Sequence, residues 1–189
     1  MNEAKIGAEF SGSVMGEKML MQLLGGTFWD FECFDKDGRL KWQQLNRPNI
    51  ITTQGLNYLW DIGLGAGTQI TAWFVNAVET NTTAAITMTY AVPVFTEWDG
   101  FTQAARIAFV PAASAGGVIT NSASKAVFTS AEAKTLYGGA LFGGGTDADT
   151  WKDTAGGGTL FCYSKFAASE DVENGDTFKI TCSGTLTNA

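Results

Sequence analysis

The sequence contains no histidine. That absence removes Ser-His-Asp and Cys-His catalysis, imidazole metal ligation and the commonest proton shuttle near neutral pH. Proline is scarce, 3 residues in 189, so interruptions of regular structure fall to the 23 glycines. Charged residues amount to 16%, below the usual quarter or so, and 19 acidic against 12 basic residues leave a net charge of −7. Such a balance argues against binding by phosphate neutralisation, and so against direct contact with nucleic acid. No apolar run approaches the ~18 residues of a membrane-spanning helix, so no membrane partner is expected. The three cysteines, Cys33, Cys162 and Cys182, leave one unpaired in any disulfide scheme and match no zinc spacing. Free thiols packed as small hydrophobes are expected, with no metal and no cofactor. The N-terminus lacks an uninterrupted apolar core and an A-x-A-like cleavage site, which predicts synthesis and folding in a reducing cytoplasm.

What is present leans towards β-structure. Hydrophobic residues make up 45%, and 13 of them are phenylalanine. Residues 1–26 stand apart as an N-terminal arm without strand alternation. Within it Met15, Met19, Leu20, Leu23 and Leu24 recur at i, i+4, i+5, i+8 and i+9, one face of a short helix that must pack on something to persist. From Thr27 the period changes to two. In FWDFECF, Trp29, Phe31 and Cys33 share one face, and Asp35-Lys36-Asp37-Gly38 turns the chain into Leu40-Lys41-Trp42, a β-hairpin. The stretch TTQGLNYLWDIGLGAG predicts one short helix, capped by Thr52 or Thr53 and stopped by Gly63 and Gly65. Strands are predicted over residues 70–78, 90–95, 102–110, 125–129, 135–142, 159–166 and 176–186, with 90–95 held at an edge by Pro93. Residues 27–189 therefore read as an antiparallel β-sandwich, Ig-like or jelly-roll-like, with one short helix.

Few residues invite chemistry. Glu97 and Asp99 lie among aromatics in FTEWDGF and would share one face of a strand, the pairing a glycosidase needs. The competing reading is a bend at the edge of an aromatic core, made by Asp99-Gly100. The strings FGGGTDADT and AGGGTLF lack the order of a phosphate loop, and Asp147, Asp149 and Asp153 between them would repel an anion. A flexible hairpin excursion is expected there. DKDG carries only the first third of a calcium loop. No enzymatic function is expected.

Taken in order, WDFECFDKDGRLKW, NIITTQGLNYLWDIGLGAGTQITAWFV, VFTEWDGF, GGTLFCYSKF and VENGDTFKITCSGTLT resemble a family of small virion-associated proteins of tailed bacteriophages. The likeness spans roughly residues 27 to 187. It implies a structural protein of the particle, foremost a capsid decoration or cement protein. Its partners would be the major capsid protein or other virion subunits, with the chain itself homo-oligomeric within the particle. It would be made in the bacterial cytoplasm and sit on the virion's outer surface. The alternatives are a head-tail connector component, or a tail or fibre module binding receptor or carbohydrate through exposed Trp98, Trp151 or Tyr163. Met15, Met19, Leu20, Leu23 and Leu24 are the candidate interface, expected to bind a neighbouring chain. The premise is that a sandwich closed by its own two sheets offers such a stripe no berth.

Overall fold

A computed structural model describes residues 27–186. The hairpin forms where the alternation places it, from β1 (Phe28–Phe34) and β2 (Leu40–Ile51). Its turn is held by Asp35, whose Oδ1 accepts from the N–H of Asp37 at 2.9 Å and of Arg39 at 2.8 Å, while Gly38 takes a φ of 80°. Those N–H groups, Arg39's first, hold the Asp35 carboxyl below the usual range.

β2 then does more than close a hairpin. Leu40 to Pro48 pair with β1, whereas Asn49 to Ile51 pair with β8 (Thr159–Val172). Within the first stretch, between Gln44 and Arg47, lies an irregularity in which Asn46 adopts a φ of 52° and gives its N–H to Asp30 Oδ1 at 2.8 Å. One strand thus belongs to both halves of the fold. The sandwich is mainly β and antiparallel, and its two faces are one continuous curled sheet rather than two separate ones.

β2 ends at Ile51, and Thr52 caps the single helix among the described residues, α1 (Thr53–Gly63), by accepting from the Gly55 N–H at 3.0 Å. Gly55 weakens the helix locally but cannot be exchanged. A Cβ there would lie 2.4 Å from the Phe161 carbonyl oxygen, so the helix docks on β8 backbone to backbone.

The other strands are β3 (Trp73–Val78), β4 (Ile107–Ala108), β5 (Val118–Thr120), β6 (Ala126–Thr129), β7 (Lys134–Gly143) and β9 (Thr177–Thr185). One half runs β4-β3-β7-β8-β2; the other runs β2-β1-β9, with β5 and β6 end to end along the far edge of β9. Asn121 fills the gap between them. Its Oδ1 accepts from the Cys182 N–H at 2.7 Å and its Nδ2 donates to Ile180 O, replacing ladder bonds with side-chain ones.

The halves close on an aromatic core of Trp29, Phe31, Phe128, Phe166 and Phe178, in which the Phe31 and Phe166 rings meet edge-on at 4.6 Å. A second core covers the opposite face of β3-β7-β8. There Met88, Tyr90 and Phe95, from the long loop after β3, pack on Phe142, Leu160 and Tyr163. Burial on both faces accounts for the nearly continuous apolar run of β3.

Two predicted strands differ. Residues 90–95 form no strand: Val94 turns to a φ of 65° and the segment covers the second core as loop. Residues 102–110 keep only Ile107–Ala108, because Arg106 is drawn inward before the chain reaches β3. β5 was not foreseen. The three cysteines are free and buried, as expected.

Candidate functional site

Glu97, one of the two carboxylates weighed as a pair, sits in the second core with a partner that the sequence did not single out. Its Oε2 accepts from Arg106 Nε at 2.7 Å and Asn76 Nδ2 at 2.8 Å. Its Oε1 accepts from Arg106 Nη2 at 2.5 Å and the Lys152 N–H at 3.1 Å. The Arg106 side chain is wholly buried, its guanidinium 3.9 Å from the centre of the Phe142 ring, and its remaining N–H groups reach Ala148 O and Tyr90 Oη. Burial opposes the charge on Arg106; Glu97 and Tyr90 together outweigh it and hold the guanidinium above its ordinary range.

Tyr90 in turn donates to Asp153 Oδ2 at 2.7 Å. Burial first, and then that bond, push the phenol up to about 12. The same hydroxyl holds the Asp153 carboxyl below its usual value, helped by the N–H groups of Ala155 and Gly156. Every oxygen of Glu97 is therefore spent on fixed donors, leaving no lone pair aimed at solvent. Asp99 points elsewhere, to a half-exposed ion pair with Lys152 Nζ at 2.7 Å. The two carboxylates do not form a cleft, so the arrangement holds loops together and offers no acid–base pair.

The glycine-rich segment between β7 and β8 is not the flexible excursion expected of it. Ala148, Lys152 and Asp153 complete the Arg106 site, Trp151 packs edge-on against Phe101, and Arg106 donates its own backbone N–H to Asp149 O at 2.7 Å. Gly145 lies at a φ of 71° and Gly158 faces the Tyr90 ring, where a Cβ would come within 2.4 Å. These glycines permit close packing of a loop on a buried charge. Among the described residues no group of three or more carboxylate or thiol side chains is gathered to hold a metal ion.

The aromatic candidates for sugar stacking also change place. Trp98 and Tyr163 are buried in the two cores, and Trp151 is half-buried against Phe101, so neither face of the first two is free for a ring. Burial pushes the Tyr163 phenol up to about 12. Trp60 on α1 is the most exposed tryptophan among the described residues.

A different feature is open. Between α1 and the mouth of the sandwich lies a groove of about 520 Å³, walled by Tyr58, Ile62, Ile70, Trp73 and Phe109 and floored by Cys162 and Cys182. Among the described residues that line it, none is charged. Desolvation pushes the Cys162 thiol up to about 12 and Cys182 well above its ordinary value, keeping both neutral. Among the described residues the sandwich is therefore open at this end, and an apolar stripe would find a berth there. Thr27 stands on the groove's rim. Met15, Met19, Leu20, Leu23 and Leu24 lie outside the described residues.

Sequence reading missed Arg106 and the groove. A lone arginine in AARIAF, flanked by apolar residues and nine positions from Glu97, was the available signal for the first. The groove had none, because its walls come from segments scattered along the chain. No protein-family model matches the chain, and no curated protein matches it.

Proposed function

We propose that the chain is a structural subunit of a tailed-phage particle, a decoration or cement protein that holds neighbouring capsid subunits by burying apolar surface. One observation carries the reading. Glu97, the buried carboxylate that looked chemical, is saturated internally, while large apolar side chains stand exposed on α1 and on the loop its N-terminus holds. Leu64, just after α1, is 82% exposed and Trp60 52%. The loop is tied to the helix by the Thr53 N–H to Ile86 O and the Tyr90 N–H to Gln54 Oε1, and it presents Ile86, Val92 and Val94.

Covering such a side chain contributes about 1.5–3 kcal/mol before ordering costs. A few per subunit, repeated over many copies on one shell, suffice for a clamp. The net charge of −7 suits a surface that stays soluble at high local concentration. The resemblance of residues 27 to 187 to virion-associated proteins supports the same reading. Quantitative gel densitometry of purified particles tests it. Hundreds of copies per particle are expected; a handful would place the chain in a connector, tail or fibre, and absence from the particle would refute the reading.

A further inference from the structure

We propose that the groove between α1 and the sandwich mouth is the docking site of the Met15–Leu24 stripe of the same chain. The inference goes beyond the particle reading and does not rest on it.

The first argument is reach. Thr27 itself lines the groove, and Leu24 is three residues before it. At ~3.3–3.6 Å per residue, Leu24 stays within about 11 Å of that rim however the chain runs. The intervening Gly25 and Gly26 accept the backbone angles of a tight reversal, so the stripe can turn back over the groove.

Chemistry points the same way. Among the described residues the groove's lining is uncharged and mainly apolar, with Asn49, Gln69 and Thr71 its larger polar side chains, and its two thiols are kept neutral by desolvation. At helical spacing, Glu17, Lys18 and Gln22 fall off the Met15-Met19-Leu20-Leu23-Leu24 face, which is likewise uncharged. So short a helix does not persist alone, and an open apolar groove is what its stripe lacks. Methionine, with its flexible thioether, fits an irregular wall of aromatic and branched side chains.

Tethering decides between this stripe and that of a second copy. A two-residue link gives the chain's own segment an effective concentration of millimolar order at the groove, whereas a neighbour's must also meet the full cost of association. In dilute solution the chain's own stripe wins.

The test uses the full chain with p-benzoylphenylalanine in place of Leu20, irradiated at micromolar concentration. A cross-link in the monomer band, mapped by mass spectrometry to peptides carrying Tyr58 to Ile62 or Ile70 to Trp73, is the expected result. A cross-link found in the dimer band would hand the groove to a second copy and overturn the proposal. So would cross-linking only to residues off the groove, or none. As a second measurement, L20D combined with L23D should raise binding of an apolar fluorescent dye severalfold. M21D, off the stripe, should leave it unchanged. Equal dye binding by all three chains would also overturn the proposal. None of these outcomes depends on particles, so the particle reading stands or falls separately.

Discussion

Asn76 and Trp73 are three residues apart on β3, yet they serve two regions of opposite character. Asn76 faces the second core and helps hold Glu97 against Arg106, where a full ion pair is buried and each Glu97 oxygen is occupied. Trp73 faces the groove, where the described lining residues are uncharged and mainly apolar. The comparison teaches that buried charge signals internal assembly here, not chemistry. Glu97 and Arg106 join the loops over β3-β7-β8 because leaving either alone would strand a charge in an aromatic core. The exposed apolar side chains Trp60, Leu64, Ile86, Val92 and Val94, outside that groove, are where free energy for association remains.

The largest expected effect strikes both regions at once. Cys162 on the groove floor and Cys33 in the main core are raised from 9.0 to about 12, and Tyr90 in the polar cluster from 10.0 to about 12. Burial is the leading cause in all three, with Asp176 adding to Cys33 and Asp153 to Tyr90. Groups raised on folding contribute stability in full below their unfolded values and lose it as pH climbs through the folded ones. At about 1.4 kcal/mol per unit the buried Cys162 thiol's shift is worth roughly 4 kcal/mol, and those of Cys33 and Tyr90 less because solvent partly screens them, so their loss together exceeds that of any single substitution below. Urea midpoints measured from pH 9 upward should fall steadily; a flat profile would mean these groups are solvated.

Single substitutions separate the regions. R106M should cost about 3–5 kcal/mol by stranding the Glu97 carboxylate, and adding E97L should recover much of it. Chemical denaturation of the two chains checks this; equal losses in both would mean that the pair is not a unit. Next, G145A and G158A should each cost about 1–3 kcal/mol, since one forces a side chain to positive φ against the Gly156 carbonyl and the other drives it into Tyr90. A smaller loss would restore the flexible reading of that loop. At the bottom of the scale, K152M removes a half-exposed ion pair with Asp99 and should cost less than about 1 kcal/mol by thermal denaturation.

Features made by neighbours in sequence were legible. Asp35-to-Gly38, the Thr52 cap and the alternation Phe178-Ile180-Cys182 each state a local geometry, and each formed where it was placed. Residues 90–95 and 102–110 share strand-like composition, but no strand partner is left for most of them. Their fate was set by Glu97 reaching Arg106 and by a core on the outer face of β3-β7-β8. The string FTEWDGF places Glu97 and Asp99 alike among aromatics. The saturation of Glu97 is not legible there, because Lys152 and Asn76 reach it from 55 and 21 positions away.

The central claim is that exposed apolar side chains, and not the Glu97 cluster, hold this chain to its neighbours. The copy number per purified particle of a chain carrying W60D and L64D tests it most directly. Both positions are exposed, so the melting temperature should match that of the natural chain while occupancy falls about tenfold or more. Unchanged occupancy by a variant that melts normally would contradict the claim.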